Sequence, residues 1–285
     1  MIDNNYKHPF ESCWGSCCNY LLNNKVILTM RRKLFSYLPF LKLKSDVTDV
    51  VYMNWLVDLE AFKDYIPEGV TLFEKQGRAL FTILTYKHHH FSPAFLGPFR
   101  KLFPSPLQSN WRLYVDQLPL KTNNDQEVVL FLKNILDSHL FAMGSRLFSD
   151  ALPSHFAASF THSKQGDCYE TIITPGEGSA PELQARLTEM DSQHWLPVEF
   201  EYYFGDIQKA LEFICLQKAA ISSIGSSKEV AYAGIDLPVD IATIKPMQLN
   251  GIHVPFLETL QGNLSQPFCF VVPSVPFTVL WERVL

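Results

Sequence analysis

No apolar run in this sequence reaches the roughly 20 residues that a membrane-spanning helix needs, so no spanning helix is expected. The first fifteen residues carry Asp3, Lys7, His8 and Glu11 where a secretory signal would have an uninterrupted apolar centre. A cytoplasmic location is the expectation for such a chain. Cysteine is scarce: Cys13, Cys17, Cys18, Cys168, Cys215 and Cys269 are the six among 285 residues, with no Cys-x-x-Cys pair. In a reducing compartment they read as buried thiols rather than a disulfide framework. The cluster Cys13-x-x-x-Cys17-Cys18 resembles half of a zinc site, but no partner half has recognisable spacing. No Gly-x-Ser-x-Gly nucleophile elbow occurs. An excess of positive charge is also missing. With 24 basic and 29 acidic residues the net charge is −5, which gives no electrostatic reason to bind nucleic acid.

One stretch lacks acid altogether. Between Glu11 and Asp46 there is no Asp or Glu, while Lys25, Arg31, Arg32, Lys33, Lys42 and Lys44 alternate with Leu21, Leu22, Val26, Ile27, Leu28, Leu34, Phe35, Leu38 and Phe40. A basic amphipathic helix of this kind suits an anionic membrane surface. It also suits packing across a domain or a dimer contact, and the number of apolar residues favours packing. Pro39 is expected to end it. The chain therefore divides into a basic, partly helical N-terminal extension, residues 1–48, and one domain, residues 49–285.

What is present is a mixed α and β pattern, 47% hydrophobic, enough for one large core. Strands are expected at Val50–Val57, Arg78–His88, Pro106–Asp116 and Glu127–Leu136, with a proline-rich irregular loop over Phe91–Leu107. Phe156–Thr161 and Cys168–Thr174 read as a hairpin. Glu182–Met190 has helical spacing, and Asp206–Ser222 is the clearest helix, capped by Asp206. Val230–Ile235 is a strand, Asp240–Leu249 a short helix, and Phe268–Val272 and Phe277–Val284 are closing strands across a Pro273–Pro276 kink.

Alternation on the Pro106–Asp116 strand puts Gln108, Asn110, Arg112, Tyr114 and Asp116 on one face and Ser109, Trp111, Leu113 and Val115 on the other. A polar row centred on arginine is costly to bury unless something answers it. In a closed sheet Arg112 would offer a planar fork to a carboxylate, with Asn110, Gln108 and Tyr114 orienting the ligand. The competing reading is a solvated strand face, or an Arg112 paired with a structural acid. Lys133, inside the apolar run Val128–Asn134, is a candidate catalytic amine if it shares that cavity, because desolvation and Arg112 would lower its pKa. Its alternative is a strand-end lysine reaching solvent. His88 and His90 share a strand face and suit a metal with His155, His139 or Asp116 as third ligand, or else are polar lining. Ser154 and His155 supply a nucleophile and base by type, although adjacent strand residues point apart.

Several segments together resemble the acetoacetate decarboxylase-like superfamily, more specifically its uncharacterised bacterial branch often called YqjF-like, a domain of unknown function. They are Asn54-Trp55-Leu56-Val57-Asp58 through Tyr65-Ile66-Pro67-Glu68-Gly69-Val70, then Gly77-Arg78-Ala79-Leu80, Asn110-Trp111-Arg112-Leu113-Tyr114-Val115, Arg146-Leu147-Phe148, Ala210-Leu211-Glu212-Phe213 and a final strand near Trp281. The resemblance covers residues 49–285. It implies an α+β fold, a β-rich cone-shaped barrel with helices packed outside and a small-molecule cavity lined by the Arg112 strand. In acetoacetate decarboxylase a lysine pair follows an Ala-x-Gly-Arg-like segment and a proline, and one lysine forms a Schiff base with the keto acid. The comparable stretch here is Ala142-Met143-Gly144-Ser145-Arg146 and Pro153, followed by Ser154 and His155. Neither forms an imine. Gln108 stands where the branch often has glutamate, and Asp236-Leu237-Pro238-Val239 replaces a His-x-Pro-Trp-like segment.

The expectation is a small-molecule-binding barrel, with or without enzymatic activity on a carboxylate or keto-acid metabolite, lacking the Schiff-base lysine and using no cofactor. The alternatives are a non-catalytic binding or structural protein and a His-dependent metal enzyme. A homo-oligomer stays open.

Overall fold

The computed structural model describes residues 4–119, 127–191, 195–225, 229–260 and 262–285. Two helices open the chain, α1 (Cys13–Asn23) and α2 (Lys25–Phe35). Ser12 caps α1 by accepting from the Gly15 amide, and Asn24 ends α1 while capping α2 through the Val26 and Ile27 amides. Cys18 and Leu22 bury against Tyr6, Met143, Leu147 and Phe156, so α1 packs as expected. No residue of α2 is buried. Instead Arg31 and Arg32 hold α2 at Asp150, at 2.5 and 2.8 Å.

Strands follow: β1 (Leu43–Asp58), β2 (Thr71–Leu72), β3 (Glu74–Lys75), β4 (Arg78–Pro93), β5 (Leu107–Gln117) and β6 (Val128–Leu136). Helix α3 (His139–Phe148) leads to β7 (Ser154–Phe156), the hairpin β8 (Ser159–Gln165) and β9 (Cys168–Thr174), and β10 (Leu183–Glu189). Next come α4 (Val198–Phe204), α5 (Ile207–Cys215), β11 (Ala219–Ser223), β12 (Val230–Asp236), β13 (Lys245–His253), α6 (Pro255–Thr259) and β14 (Phe268–Val284).

The strands run β1-β4-β5-β6-β11-β12-β14, and β14 pairs back with β1 from Leu43↔Val279 to Asn54↔Phe268, closing a ring of seven. From β14 a second arm, β13-β10-β9-β8, continues the sheet. This is the β-rich α+β barrel fold expected. Its shared strands have a core on each face. One contains Met53, Trp55, Phe81, Trp111, Leu130 and Ile135, covered by arm residues such as Phe160, Tyr169, Ile173, Leu183 and Leu187. The other contains Tyr52, Leu84, Tyr86, Tyr114, Phe131, Phe268 and Phe270, covered by Phe200, Leu211 and Ile214 of α4 and α5.

Several local expectations are corrected. Glu182–Met190 is strand β10, not helix: Leu183, Ala185 and Leu187 bury in alternation, and the segment is paired on both edges, by β9 and β13. The helix expected to reach Ser222 stops at Cys215, because the apolar run Ala219–Ser223 pairs with β6 and β12. Asp240–Leu249 is a short 3₁₀ turn, Ile241–Thr243, leading into β13. The stretch after His88 remains strand to Pro93 and then forms a 3₁₀ segment, Ala94–Leu102. The two closing strands are one, β14. It pairs with β13 through Val271 and with β12 from Thr278, so Pro273 and Pro276 fall where that edge changes partner, while on the other edge Pro276 pairs with Asp46 of β1. Cys13 and Cys17 are exposed rather than buried.

Candidate functional site

The polar row on β5 is buried. Gln108, Asn110, Arg112 and Tyr114 are all nearly inaccessible and face the core covered by α5, while Trp111 and Leu113 face the other. Asp116 lies beyond the buried part of the strand and is exposed. Neighbouring strands answer the row in register, with Thr82 paired to Arg112, Tyr86 to Gln108 and Asn134 to Asn110.

Two hydrogen-bonded chains result. In the first, His88 Nε2 lies 2.7 Å from Gln108 Oε1, Gln108 Nε2 donates to Asn110 Oδ1 at 2.9 Å, and Asn110 Nδ2 donates to the Tyr86 hydroxyl at 2.9 Å. Gln108 Oε1 only accepts, so His88 carries its proton on Nε2, and its Nδ1 lies 2.9 Å from Ser45 Oγ. Burial lowers the His88 pKa to about 4, which keeps the ring neutral and the chain of donors one-directional.

In the second, Thr82 Oγ1 donates to Asn54 Oδ1 at 2.6 Å, and Asn54 Nδ2 donates to the Phe268 carbonyl at 2.7 Å. The Tyr114 hydroxyl lies 3.1 Å from Thr82 Oγ1. Arg112 donates to the Tyr114 hydroxyl from Nε at 3.3 Å and Nη2 at 3.1 Å, and from Nη2 to the Ile214 carbonyl at 3.0 Å. That carbonyl belongs to the last turn of α5, the negative end of the helix dipole. The guanidinium also lies over the Tyr52 and Tyr114 rings at 5.6 and 5.3 Å.

No carboxylate pairs with Arg112 among the described residues. Its titratable neighbours do not neutralise it: burial pushes the Tyr52 and Tyr114 hydroxyls up and the Cys215 thiol to about 12, so all three stay protonated. Two further groups on this face are incomplete. Asn134, 1% exposed, has no partner for either its oxygen or its nitrogen, and the Tyr52 hydroxyl has none.

The other expected site residues fall elsewhere. A bulge at Leu132 shifts the register so that Lys133 pairs with Trp111, on the face opposite Arg112. The proposed pKa effect of Arg112 on Lys133 therefore lacks its geometric basis. His155 is also on that opposite face, level with Ile135. It is buried, its Nδ1 lies 2.7 Å from Ser179 Oγ, and burial, Arg146 and Lys133 together drive its pKa well down. Lys133 and His155 are thus neighbours in one place, and Ser154 is in another. Parallel pairing with Asn134 puts Ser154 on the Arg112 face, where it is fully buried and donates to the Leu152 carbonyl at 3.3 Å. No lysine is buried among the described residues. His88 is engaged on both ring nitrogens, and His90, at φ 57°, breaks the strand alternation. No group of three metal-ligating side chains converges among the described residues.

Sequence reasoning missed Asn54, Thr82, Tyr86 and Asn134. Thr82, Tyr86 and His88 recur at even positions on β4, the same period that exposed the β5 row. Asn134 had only its position within an apolar strand as a signal.

The closed β-rich barrel under helical cover is the acetoacetate decarboxylase-like fold. Solved structures of that class match most of the chain. MppR, an enduracididine biosynthesis enzyme with HEPES buffer bound, is 12% identical, over 87% of this chain and 88% of that one, at a TM-score of 0.55. Acetoacetate decarboxylase from Legionella pneumophila has the same values: 12%, 87%, 88% and 0.55. An acetoacetate decarboxylase-like enzyme from Sphingomonas wittichii RW1 is 10% identical, over 85% and 92%, at 0.53. At these identities the likeness is one of fold. Within it, the chain belongs to DUF2071, a family of uncharacterized conserved proteins, matched over residues 44–196. No curated protein matches the chain.

Proposed function

We propose that this protein binds a small carboxylate between Arg112 and Asn134 and does so without forming a Schiff base. The observation that carries the reading is the buried Arg112, whose charge meets no carboxylate among the described residues. A guanidinium withdrawn from water is costly without a counter-charge, and a carboxylate is the group its fork fits best. Asn134 adds a buried amide without partners on the same face, a group whose chemistry suits a keto or hydroxyl oxygen beside the carboxylate. MppR, of the same fold, has been solved with pyruvate, a ligand of this class. Ser154, at the position that the family resemblance gives to lysine, faces the same core and cannot form an imine. Keto acids are therefore bound as carbonyl compounds. The polar floor built by His88, Gln108, Asn110 and Tyr86 orients Asn110 beside the ligand.

Thermal unfolding with pyruvate, acetate and uncharged acetone tests this. At a hundred times its dissociation constant, a ligand should add about 2.7 kcal/mol of stability. Pyruvate should stabilise the parent chain, acetone should not, and Arg112→Met should abolish the effect. If the parent melts identically with every carboxylate, the reading fails. Borohydride treatment with pyruvate should leave no added mass. A trapped adduct would restore imine chemistry at a lysine outside this core.

A further inference from the structure

The paired ends of β1 and β4 carry an exposed apolar surface that the barrel does not use. Leu43 pairs with Pro93, and the Ala94 amide donates to the Lys42 carbonyl at 2.8 Å. The segment entering β1 and the 3₁₀ segment leaving β4 therefore emerge side by side. Both present large apolar side chains to solvent: Tyr37, Leu38, Phe40 and Leu41 on the first, and Phe95, Phe99, Leu102 and Phe103 on the second, with Phe95 74% and Leu102 81% exposed. Continuous with the first segment, α2 exposes Val26, Met30 and Leu34, a stripe at intervals of four residues, against the expectation that its apolar residues would be packed. So many exposed aromatic and aliphatic groups on adjoining segments mark an interaction surface.

Its charge selects the partner. No acidic residue occurs from residue 12 to residue 45 or from residue 94 to residue 106, in a chain of net charge −5. Lys33, Lys42 and Lys101 are exposed among the apolar groups. Arg31 and Arg32 are held by Asp150, and Arg100 donates to the His90 carbonyl and lies near Asp46, so these three brace the surface. A second copy of the chain packed through this same face would set one basic, acid-free patch against another. We propose that this face docks on an anionic phospholipid bilayer, with the phenylalanine and leucine side chains entering the headgroup boundary and the three lysines meeting lipid phosphates and carboxylates.

Co-sedimentation of the full chain with vesicles tests the proposal. Phosphatidylcholine vesicles containing phosphatidylserine should carry the protein down at low salt, and pure phosphatidylcholine should do so far less. Lys42→Gln with Lys101→Gln should weaken binding roughly twenty-five-fold, at about fivefold per lysine. Phe95→Ser with Phe99→Ser should weaken it further, with unchanged melting temperature because these side chains are in solvent. Absence of binding to phosphatidylserine vesicles at low salt would overturn the proposal. So would binding that all four substitutions leave intact, or concentration-dependent self-association that the same substitutions abolish, which would give the face to a second copy.

Discussion

Trp111 and Arg112 are adjacent, equally buried, and embedded in two cores of opposite character. The Trp111 side is mostly apolar, and its few buried polar groups find partners within the chain: Trp111 Nε1 and Thr85 Oγ1 donate to Ser109 Oγ, and His155 Nδ1 meets Ser179 Oγ. The Arg112 side is threaded with polar groups, most of them satisfied, and leaves the guanidinium without a carboxylate among the described residues and the Asn134 amide without a partner. Burial alone therefore does not separate structure from site. The difference lies in whether the buried groups find their partners within the chain.

Substitutions on the two faces sharpen this contrast. Trp111→Ala should cost about 3–5 kcal/mol in urea unfolding, the loss typical of a large aromatic removed from a packed core, and should leave carboxylate binding to surviving folded protein intact. The next largest effect is in pH. His88 takes its proton near pH 6.5 when unfolded but near about 4 when folded, so its contribution is complete above pH 6.5 and is lost as pH falls toward 4. That loss is about 3 kcal/mol. His155 and His162, whose pKa values are also lowered, act in the same sense. Comparing the parent with His88→Gln between pH 7 and pH 4 isolates the His88 share as a shallower slope. An His88 resonance titrating near pH 6.5 in the folded protein would sink this prediction.

Arg112→Met should cost only about 1–3 kcal/mol, because the Ile214 carbonyl keeps the Tyr114 hydroxyl as a donor at 3.3 Å and only the Tyr114 oxygen loses its donor. A loss equal to that of Trp111→Ala would make the arginine a structural element and erase the contrast. The smallest effect has the opposite sign. Asn134→Leu should stabilise the ligand-free protein by about 1 kcal/mol, because it removes an amide that is buried without partners. It should also weaken pyruvate binding, and a destabilised Asn134→Leu would show that the amide is satisfied.

The polar row was legible because a strand's period of two is short, and four consecutive even positions carry polar groups on β5. What the row faces was not legible: Ile214 is about a hundred residues away, and no local pattern pairs it with Arg112. Lys133 shows a sharper limit. Counting from Val128 gives one face, but the bulge at Leu132 reverses it, and a bulge leaves no mark on composition. Residues 182–190 are good helix formers held as a strand by neighbours on both edges, a tertiary choice that propensity does not record. The end of α5 was misplaced for a related reason, since a fully buried strand such as Ala219–Ser223 reads as more helix.

Closure of the ring has a consequence for how the chain acquires its shape. Asn54 of β1 and Phe268 of β14 are 214 residues apart, and every pair along that seam joins the first long strand to the last. Contacts so distant form slowly, because the intervening loop must close before either edge gains a partner. During synthesis β1 emerges first and waits with one edge unpaired until almost the whole chain has followed it. For that interval the nascent protein offers an open, apolar strand edge to any other chain nearby. Yield at high expression temperature should therefore be limited by aggregation before closure, well below the temperature at which the finished barrel unfolds.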